Sequence, residues 1–313
     1  MIKPYISVVI PVYNEEASLE NLYNRLTKVM DAIDKPYEII LTNDGSKDRS
    51  SQILAELHQR RPEQIRVIEF NGNFGQHMAI MAGFANVRGE IIITMDADLQ
   101  NPPEEIPRFV EMMEKGHDVV GSYRMDRKDS AWRLLVSRLH NKFRTWIAPN
   151  LTMKDEGSML RAYKRNIVDL MVNCDEASTF IPALAHTYAA NPGELGIKHE
   201  AREAGKSNYN FYKLIRYNFD LVTGFSLMPL QWFTLIGILV SALSGLLVVY
   251  MLLRRVIIGP EADGLFTLFA IMYFLVGIGL MGLGIIGEYI GRIYQEIRKR
   301  PRYIIKNILQ KKD

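Results

Sequence analysis

Short apolar runs alternate with helix-like patterns along the first part of the chain, up to about residue 125. The runs that begin at Ile6, Glu38, Ile65 and Ile91 are rich in β-branched residues, and each ends in turn-forming residues. In the segments between them, apolar residues recur every three or four positions. Strands and helices that alternate at such short spacing are typical of a parallel sheet with helices on both faces. The pattern therefore predicts a doubly wound α/β domain with a mostly parallel sheet.

The same pattern continues after the fourth run. A helix is predicted from Ile106 to Lys115, and a further strand from Asp118 to Ser122 that ends at Arg124. The residues after Arg161 are predicted to be helical up to Asn173. All of these elements are assigned to a domain that spans residues 1–207.

Two carboxylates follow the Ile91 strand directly. Asp96 and Asp98 flank Ala97, Gln100 comes two residues later, and the prolines that follow prevent the strand from continuing. In open α/β sheets, ligands bind at the carboxyl ends of the strands. Mg²⁺ is usually held there by one or two carboxylates together with substrate phosphates. These residues therefore predict a metal site, although a simple turn cap would use the same residue types.

Polar residues also follow the other strands. Tyr13 and Glu15 come after the first strand, Asn43 and Asp44 after the second, and the Asn73–Gly75 loop after the third. Because parallel strands end at the same sheet edge, these residues are expected to converge on a nucleotide site. The chain's Gly-x-Gly-x-x-Gly string begins at Gly277, inside a long apolar run, so it predicts helix packing and not dinucleotide binding.

Two long uncharged stretches lie near the C-terminus, from Leu221 to Leu253 and from Leu265 to Gly287. Each exceeds the roughly 20 residues that a spanning helix needs, so two transmembrane helices are predicted at about residues 230–253 and 265–287. The tail up to residue 313 is basic, which places it in the cytoplasm and near anionic lipid heads. Two crossings then return the chain to its starting side, so the N-terminal domain is predicted to be cytoplasmic as well.

Other segments suit a membrane interface or an assembly. Residues 131–147 form an amphipathic pattern with basic residues and tryptophans, which fits either an interface helix or a helix packed on the sheet. Residues 208–229 are aromatic and basic, as expected of a juxtamembrane segment. The Gly287-x-x-x-Gly291 spacing predicts close helix contacts and a homo-oligomer, with a tetramer among the candidate states.

Composition excludes several classes of protein. The net charge of the 313 residues is only +3, and the cationic residues follow the predicted membrane side, so no nucleic-acid partner is expected. Cys174 is the single cysteine of the chain, which rules out an intrachain disulfide framework and a cysteine-based zinc site.

Several strings resemble those of a known family. Val9-Ile10-Pro11-Val12-Tyr13-Asn14-Glu15, Asn43-Asp44-Gly45-Ser46 and Asp96-Ala97-Asp98-Leu99-Gln100 are similar to the GT-A inverting glycosyltransferases of family 2. The two C-terminal helices and the Gly287-Glu288-Tyr289-Ile290-Gly291-Arg292 string resemble the polyprenyl-phosphate transferases within that family. Gly75-Gln76-His77, Ser178-Thr179-Phe180-Ile181-Pro182 and Arg300-Pro301-Arg302-Tyr303 support the same subfamily. Asn43 replaces a more usual aspartate, and Glu156 stands where relatives often have an aromatic residue.

The resemblance implies a bacterial enzyme of the inner membrane with both termini in the cytoplasm. It would transfer a sugar with inversion from a UDP donor to undecaprenyl phosphate, using Mg²⁺ or Mn²⁺. The favoured sugar is 4-deoxy-4-formamido-L-arabinose, destined for lipid A, where it would oppose cationic antimicrobial peptides. Glucose and N-acetylhexosamines remain alternatives, as does a membrane-anchored scaffold that binds nucleotide sugars without catalysis.

The resemblance also implies a role for individual residues. Asp155 would act as a base or orient the sugar, and with Asp98 and Arg202 it completes the expected catalytic group. The metal would be held by Asp96, Asp98 and Gln100. The nucleotide sugar would be bound by Pro11, Tyr13, Glu15, Asp44, Gly75, Asp96, Ala97, Arg202 and Lys206. The acceptor phosphate would be bound by Arg124, Arg133 and Ser137.

Overall fold

The computed structural model describes residues 3–125, 158–174, 180–198, 228–259, 265–297 and 301–311. The described residues up to 198, together with residues 301–311, form one compact unit. The long helices between residues 228 and 297 form a second unit.

The first unit contains eight described strands and six described α-helices. The strands are β1 (Ile6–Val12), β2 (Tyr37–Asn43), β3 (Ile65–Phe70), β4 (Ile91–Thr94), β5 (Val119–Arg124), β6 (Arg161–Lys164), β7 (Pro192–Ile197) and β8 (Ile305–Leu309). The helices are α1 (Leu19–Ala32), α2 (Ser50–Arg60), α3 (Gln76–Phe84), α4 (Ile106–Glu114), α5 (Arg165–Asn173) and α6 (Ile181–Tyr188).

All eight strands join one mixed sheet in the order β7-β5-β6-β4-β1-β2-β3-β8. Strands β1, β2, β3 and β4 pair in parallel, and β5 pairs in parallel with β7. Strand β6 is antiparallel to both β4 and β5, and β8 is antiparallel to β3. Six of the described strands therefore run in one direction, which confirms the mostly parallel sheet.

Two apolar layers cover the faces of this sheet. Alternate residues of β1 pack on opposite faces: Ile6, Val8 and Ile10 pack with α1, α2 and α4, whereas Val9 packs with α3, α5 and α6. Side chains of a strand point to opposite faces in turn, so a fully buried strand must be apolar at every position. Helices on both faces therefore explain why β1 is apolar at every position except Ser7, whose hydroxyl donates a hydrogen bond to Glu38.

Close packing of α3 on β1 gives a testable stability effect. A β-carbon at Gly83 would lie only 2.3 Å from Cγ1 of Val9, inside a buried layer. We expect Gly83→Ala to lower the free energy of unfolding by about 1–3 kcal/mol, because overpacking forces neighbouring side chains to move. Chemical denaturation of the purified protein measures this change. Gly72→Ala is the control, because no atom lies within 4 Å of its added carbon; equal stabilities of the two variants would contradict the close packing.

Strand β6 differs from the sequence-based expectation, which made the residues after Arg161 helical. In the structure, residues 161–164 form a strand between β4 and β5, and helix α5 begins only at Arg165. A four-residue strand that contains Arg161 and Lys164 has no distinctive apolar pattern. Its conformation is fixed by pairing with strands that lie far away in the sequence, so local periodicity could not predict it.

The basic tail also contains a strand that the sequence pattern did not predict. Strand β8 extends the sheet beside β3, with Ile68 opposite Ile308 and Val67 opposite Leu309. Lys311 forms an ion pair with Glu63 at the far end of this pairing. Part of the tail that was expected to lie near anionic lipid heads is thus an edge strand of the α/β unit.

The second unit consists of two long helices, α7 (Met228–Ile257) and α8 (Leu265–Ile297). The ring of Phe233 in α7 lies against Gly282 of α8, where a β-carbon would overlap it. This contact confirms that Gly282 serves helix packing.

Within the described residues, one stretch, Ile271–Gly291, is long and apolar enough to cross a membrane. Many apolar side chains of both helices are more than half exposed, such as Leu246 and Leu283.

Candidate nucleotide and metal site

The predicted site residues that the structure describes lie at one edge of the sheet. Tyr13 and Glu15 follow β1, Asp44 follows β2, Gly75 follows β3, and Arg124 ends β5. Asp96, Ala97, Asp98 and Gln100 follow β4, and Pro11 is the penultimate residue of β1. Strands β4, β1, β2 and β3 are adjacent and parallel, so their carboxyl ends lie side by side along one end of the sheet. This end of the sheet is called the carboxyl edge. The convergence expected from the sequence is therefore present.

Asp44 organises the centre of this edge. Its Oδ1 accepts a hydrogen bond from the backbone N–H of Phe74 at 2.6 Å, and its Oδ2 accepts one from that of Gly75 at 2.9 Å. The amide nitrogen of Asn73 donates to the same Oδ2 at 3.0 Å. The residue is 3% exposed, and this burial raises the pKa of its carboxyl above the usual range, although the two backbone donors oppose the rise. Asp44 thus fixes the loop after β3, a task that its sequence context did not reveal.

Glycines are needed in the loops after β2 and β3, in one place for close approach and in both for backbone conformation. Gly45 has φ +69°, and a β-carbon there would lie 2.6 Å from the carbonyl carbon of Gly72. Gly75 has φ +95°, a backbone conformation that residues with a side chain rarely adopt. Gly45 is therefore required by both its backbone contact and its conformation, and Gly75 by its conformation.

Further hydrogen bonds connect the loop after β1 to the loop after β2. The N–H of Asn14 donates to Oγ of Ser46 at 3.0 Å, and the N–H of Lys47 donates back to Oδ1 of Asn14 at 2.8 Å. The N–H of Glu15 donates to Oγ of Ser50 at 3.0 Å. Tyr13 is 43% exposed next to these loops, so part of its side chain is accessible to a ligand.

The carboxylates after β4 are oriented by hydrogen bonds from neighbouring N–H groups. The side-chain amide of Gln76 donates to Oδ1 of Asp96 at 2.5 Å, and the N–H of Gln100 donates to Oδ1 of Asp98 at 3.1 Å. Leu99 has φ +60°, which turns the chain sharply between them. No group of three or more His, Cys, Asp or Glu side chains that could hold a metal occurs among the described residues. Asp96, Asp98 and Gln100 offer two carboxylates and one amide oxygen. These ligands fit Mg²⁺ or Mn²⁺ that is also bound by phosphate oxygens of a ligand.

The sequence analysis assigned no site role to Gln76, yet it is the first residue of α3 and contacts Asp96. Its position directly after the Gly75 turn was the available signal, because a helix that begins there places its first side chains at the carboxyl edge. The contact joins the β3 loop to the β4 loop. Together with the bonds of Asp44, it connects the candidate nucleotide and metal residues into one network.

His77 follows Gln76 in α3, and part of its ring is buried. Its Nδ1 is buried without a hydrogen-bond partner among the described residues, and its ring meets that of Phe180 edge-on at 5.4 Å. Burial lowers the pKa of His77 to about 4.

This shift predicts a pH dependence of stability. Between pH of about 6.5 and about 4, the unfolded chain binds a proton at His77 that the folded chain does not. The free energy of unfolding should therefore decrease as the pH falls through this window. We expect His77→Gln to show a smaller decrease than the wild type in thermal unfolding at a series of pH values. Parallel curves for the two proteins would contradict the prediction.

Several predicted site residues lie outside the described residues. They are Asp155, Glu156, Arg202 and Lys206, and the acceptor residues Arg133 and Ser137 together with the interface segment 131–147. The juxtamembrane segment 208–229 is described only from Met228 onward. The roles that the sequence analysis assigned to these residues remain predictions.

Comparison with known proteins defines the class of this protein. The sequence model of glycosyl transferase family 2 matches residues 7–171, a range that runs from β1 into α5 and includes the carboxyl edge. The chain therefore belongs to this family, and the protein is a glycosyltransferase.

Similarity to curated relatives extends over nearly the whole chain. The undecaprenyl-phosphate 4-deoxy-4-formamido-L-arabinose transferase of Edwardsiella ictaluri is 47% identical over 310 residues, which cover 98% of this chain and 94% of that protein. The transferase of the same description from Yersinia enterocolitica is 47% identical over 306 residues, covering 97% and 93% of the two chains.

A solved structure supports the fold. Glucosyl-3-phosphoglycerate synthase from Mycobacterium tuberculosis, crystallised with Mn²⁺, UDP and phosphoglyceric acid, is similar with a TM-score of 0.50. The two proteins are 18% identical, and the similarity covers 70% of this chain and 76% of that one. The GT-A-like fold expected from the sequence is confirmed by this likeness together with the family match.

Proposed function

We propose that this enzyme transfers 4-deoxy-4-formamido-L-arabinose from its UDP donor to undecaprenyl phosphate, with inversion at the anomeric carbon. The observation that carries the proposal is the 47% identity to transferases of that description over 98% of the chain. The carboxyl edge supplies the residue types that the reaction needs, namely an exposed aromatic ring, a glycine-rich loop and paired carboxylates. The product would serve the modification of lipid A.

The chemistry requires a neutralised leaving group more than a strong base. An oxygen of the acceptor phosphate forms the new bond to the anomeric carbon, while the bond from that carbon to the UDP oxygen breaks and UDP leaves. A phosphate monoester is already largely dianionic near pH 7, because its second pKa is about 6. Alignment of the acceptor and stabilisation of the departing diphosphate therefore dominate the barrier.

Individual residues are proposed for these tasks. Asp96, Asp98 and Gln100 would hold Mg²⁺ or Mn²⁺, which when bound supplies positive charge next to the diphosphate. Tyr13 and the loop fixed by Asp44 would receive the uridine, together with Pro11, Glu15, Gly75 and Ala97. Arg202 and Lys206 would contact the diphosphate, Asp155 would orient the sugar or act as a base, and Arg124, Arg133 and Ser137 would bind the acceptor phosphate.

We also propose that α7 and α8 both cross the bacterial inner membrane, with the α/β unit in the cytoplasm. Strand β8 follows α8 in the chain and belongs to the same sheet as β1 to β7. The polypeptide must therefore return to its starting side after α8, so the number of crossings between residues 198 and 301 is even. The Ile271–Gly291 stretch, which is long and apolar enough to cross, then requires a second crossing. The exposed apolar side chains of α7 supply a suitable surface for it.

A donor screen tests the proposed function. Full-length protein in detergent would receive undecaprenyl phosphate, Mg²⁺ or Mn²⁺, and one of several UDP-sugars, with lipid products identified by mass spectrometry. We expect a product only from the formamido-arabinose donor. A product from UDP-glucose or a UDP-N-acetylhexosamine instead would retain the reaction and replace the sugar. UDP binding without any lipid product would support the non-catalytic scaffold.

A further inference from the structure

The segment that follows α8 is in contact with the loop of the candidate nucleotide site. The ring of Tyr303 stacks on that of Phe70, the last residue of β3, with the centroids 5.1 Å apart and the planes inclined by 11°. The carbonyl oxygen of Ile304 accepts a hydrogen bond from the N–H of Asn71 at 3.1 Å. Both contacts lie where β3 ends and the loop 71–75 begins.

These contacts continue through the loop to Asp44. Phe70 meets Phe74 edge-on, with the ring centroids 5.6 Å apart and the planes inclined by 88°. The N–H of Phe74 is the group that donates to Oδ1 of Asp44 at 2.6 Å. The loop is therefore held between Asp44 on one side and the aromatic pair of Tyr303 and Phe70 on the other.

The tail is itself anchored where it contacts the loop. The guanidinium of Arg302 donates to the carbonyl oxygen of Cys174, which follows α5. Tyr303 is packed against the buried layer that includes Phe70, and burial raises the pKa of its phenol above the usual value. The hydrogen bond of the neighbouring Arg302 and the buried layer around Phe70 hold Tyr303 in place. The Tyr303 ring can therefore fix the position of the loop.

We propose that Tyr303 is a positioning residue for the donor site: it sets the loop 71–75 so that the backbone N–H groups of Phe74 and Gly75 meet Asp44. This inference rests on the proposed function, in which that loop receives the uridine diphosphate part of the donor. The site is then complete only after residues 301–305, which follow α8, have packed against the end of β3. If β8 served only to cover the unpaired backbone groups of β3, the stacking of Tyr303 on Phe70 would not be needed.

The test uses three full-length variants in detergent. Tyr303→Ala removes the stacked ring, Tyr303→Phe keeps the ring and removes only the hydroxyl, and Lys311→Ala breaks the ion pair with Glu63 at the opposite end of β8. The readouts are UDP affinity by calorimetry, the donor KM and kcat, and amide hydrogen exchange of residues 71–75 without nucleotide. Exchange measures the contact between tail and loop independently of any nucleotide.

We expect Tyr303→Ala to weaken UDP binding and raise the donor KM about three- to tenfold, the size of effect that an aromatic pair supports. The kcat should stay within about twofold, and exchange of the Phe74 and Gly75 amides should become faster. Tyr303→Phe should restore wild-type values, and Lys311→Ala should match the wild type throughout.

Two outcomes would overturn the inference while the proposed function stands. One is unchanged UDP affinity and unchanged exchange in Tyr303→Ala, and the other is a Tyr303→Phe variant as impaired as Tyr303→Ala. A wild-type protein that binds no UDP would overturn the proposed function instead, and with it the role of Tyr303 in donor binding. The two failures are therefore distinguishable.

Discussion

Replacing Asp98 by alanine is expected to lower the transfer rate by at least about a thousandfold, on the order of 4 kcal/mol in the activation free energy. Asp98 follows β4 at the carboxyl edge, and its Oδ1 is oriented by the N–H of Gln100 at 3.1 Å. Loss of this carboxylate would remove a proposed ligand of the metal that neutralises the leaving diphosphate. Steady-state rates with saturating undecaprenyl phosphate and a series of metal concentrations measure the effect.

A second carboxylate provides the control for this experiment. Asp169 lies on the exposed surface of α5, where it pairs with Arg165 at 2.8 Å. Asp169→Asn should leave activity within about twofold, because an exposed pair of this kind contributes little to stability. Full activity of Asp98→Ala in excess EDTA would remove Asp98 from the proposed metal site.

Replacing Asp44 by alanine is expected to raise the donor KM at least about thirtyfold and to lower the free energy of unfolding. The carboxylate accepts hydrogen bonds from the N–H groups of Phe74 and Gly75 and from the amide of Asn73. A buried donor left without its acceptor costs about 1–3 kcal/mol, so the loop would leave its position instead of keeping these groups unpaired. Donor titrations and chemical denaturation measure the two effects.

Asp118 offers a matched control for Asp44. It accepts hydrogen bonds from the N–H groups of Ala190 and Asn191 at 3.2 and 3.0 Å, and from the amine of Lys164 at 2.8 Å. It therefore fixes a loop with the same kinds of contact. However, it precedes β5 and so lies at the end of the sheet opposite to the carboxyl edge. Asp118→Ala should reduce stability while the donor KM stays within about twofold. Equal donor KM values for the two variants would contradict the role of Asp44 in donor binding.

The central strands could be predicted from the sequence because their signal is local. Strands β1 to β4 are buried at nearly every position and mostly apolar, since helices cover both faces, and each is followed by residues that favour turns. The alignment of Tyr13, Asp44, Gly75 and Asp98 at one edge follows from parallel strands alone. The helix face of Leu19, Leu22, Leu26 and Met30 is likewise buried as its spacing predicts.

The tertiary structure decided the features whose partners are distant in the chain. Strand β6 enters the sheet between β4 and β5, and β8 pairs with β3 across more than 230 residues of sequence. The contacts of Gln76 with Asp96 and of Tyr303 with Phe70 depend on how loops from different strands meet. Local periodicity carries no information about such pairings, because their stability comes from residues that only the folded chain brings together. The sequence by itself thus determined which residues follow the parallel strands at the carboxyl edge, whereas the fold determined which residues hold that edge in place.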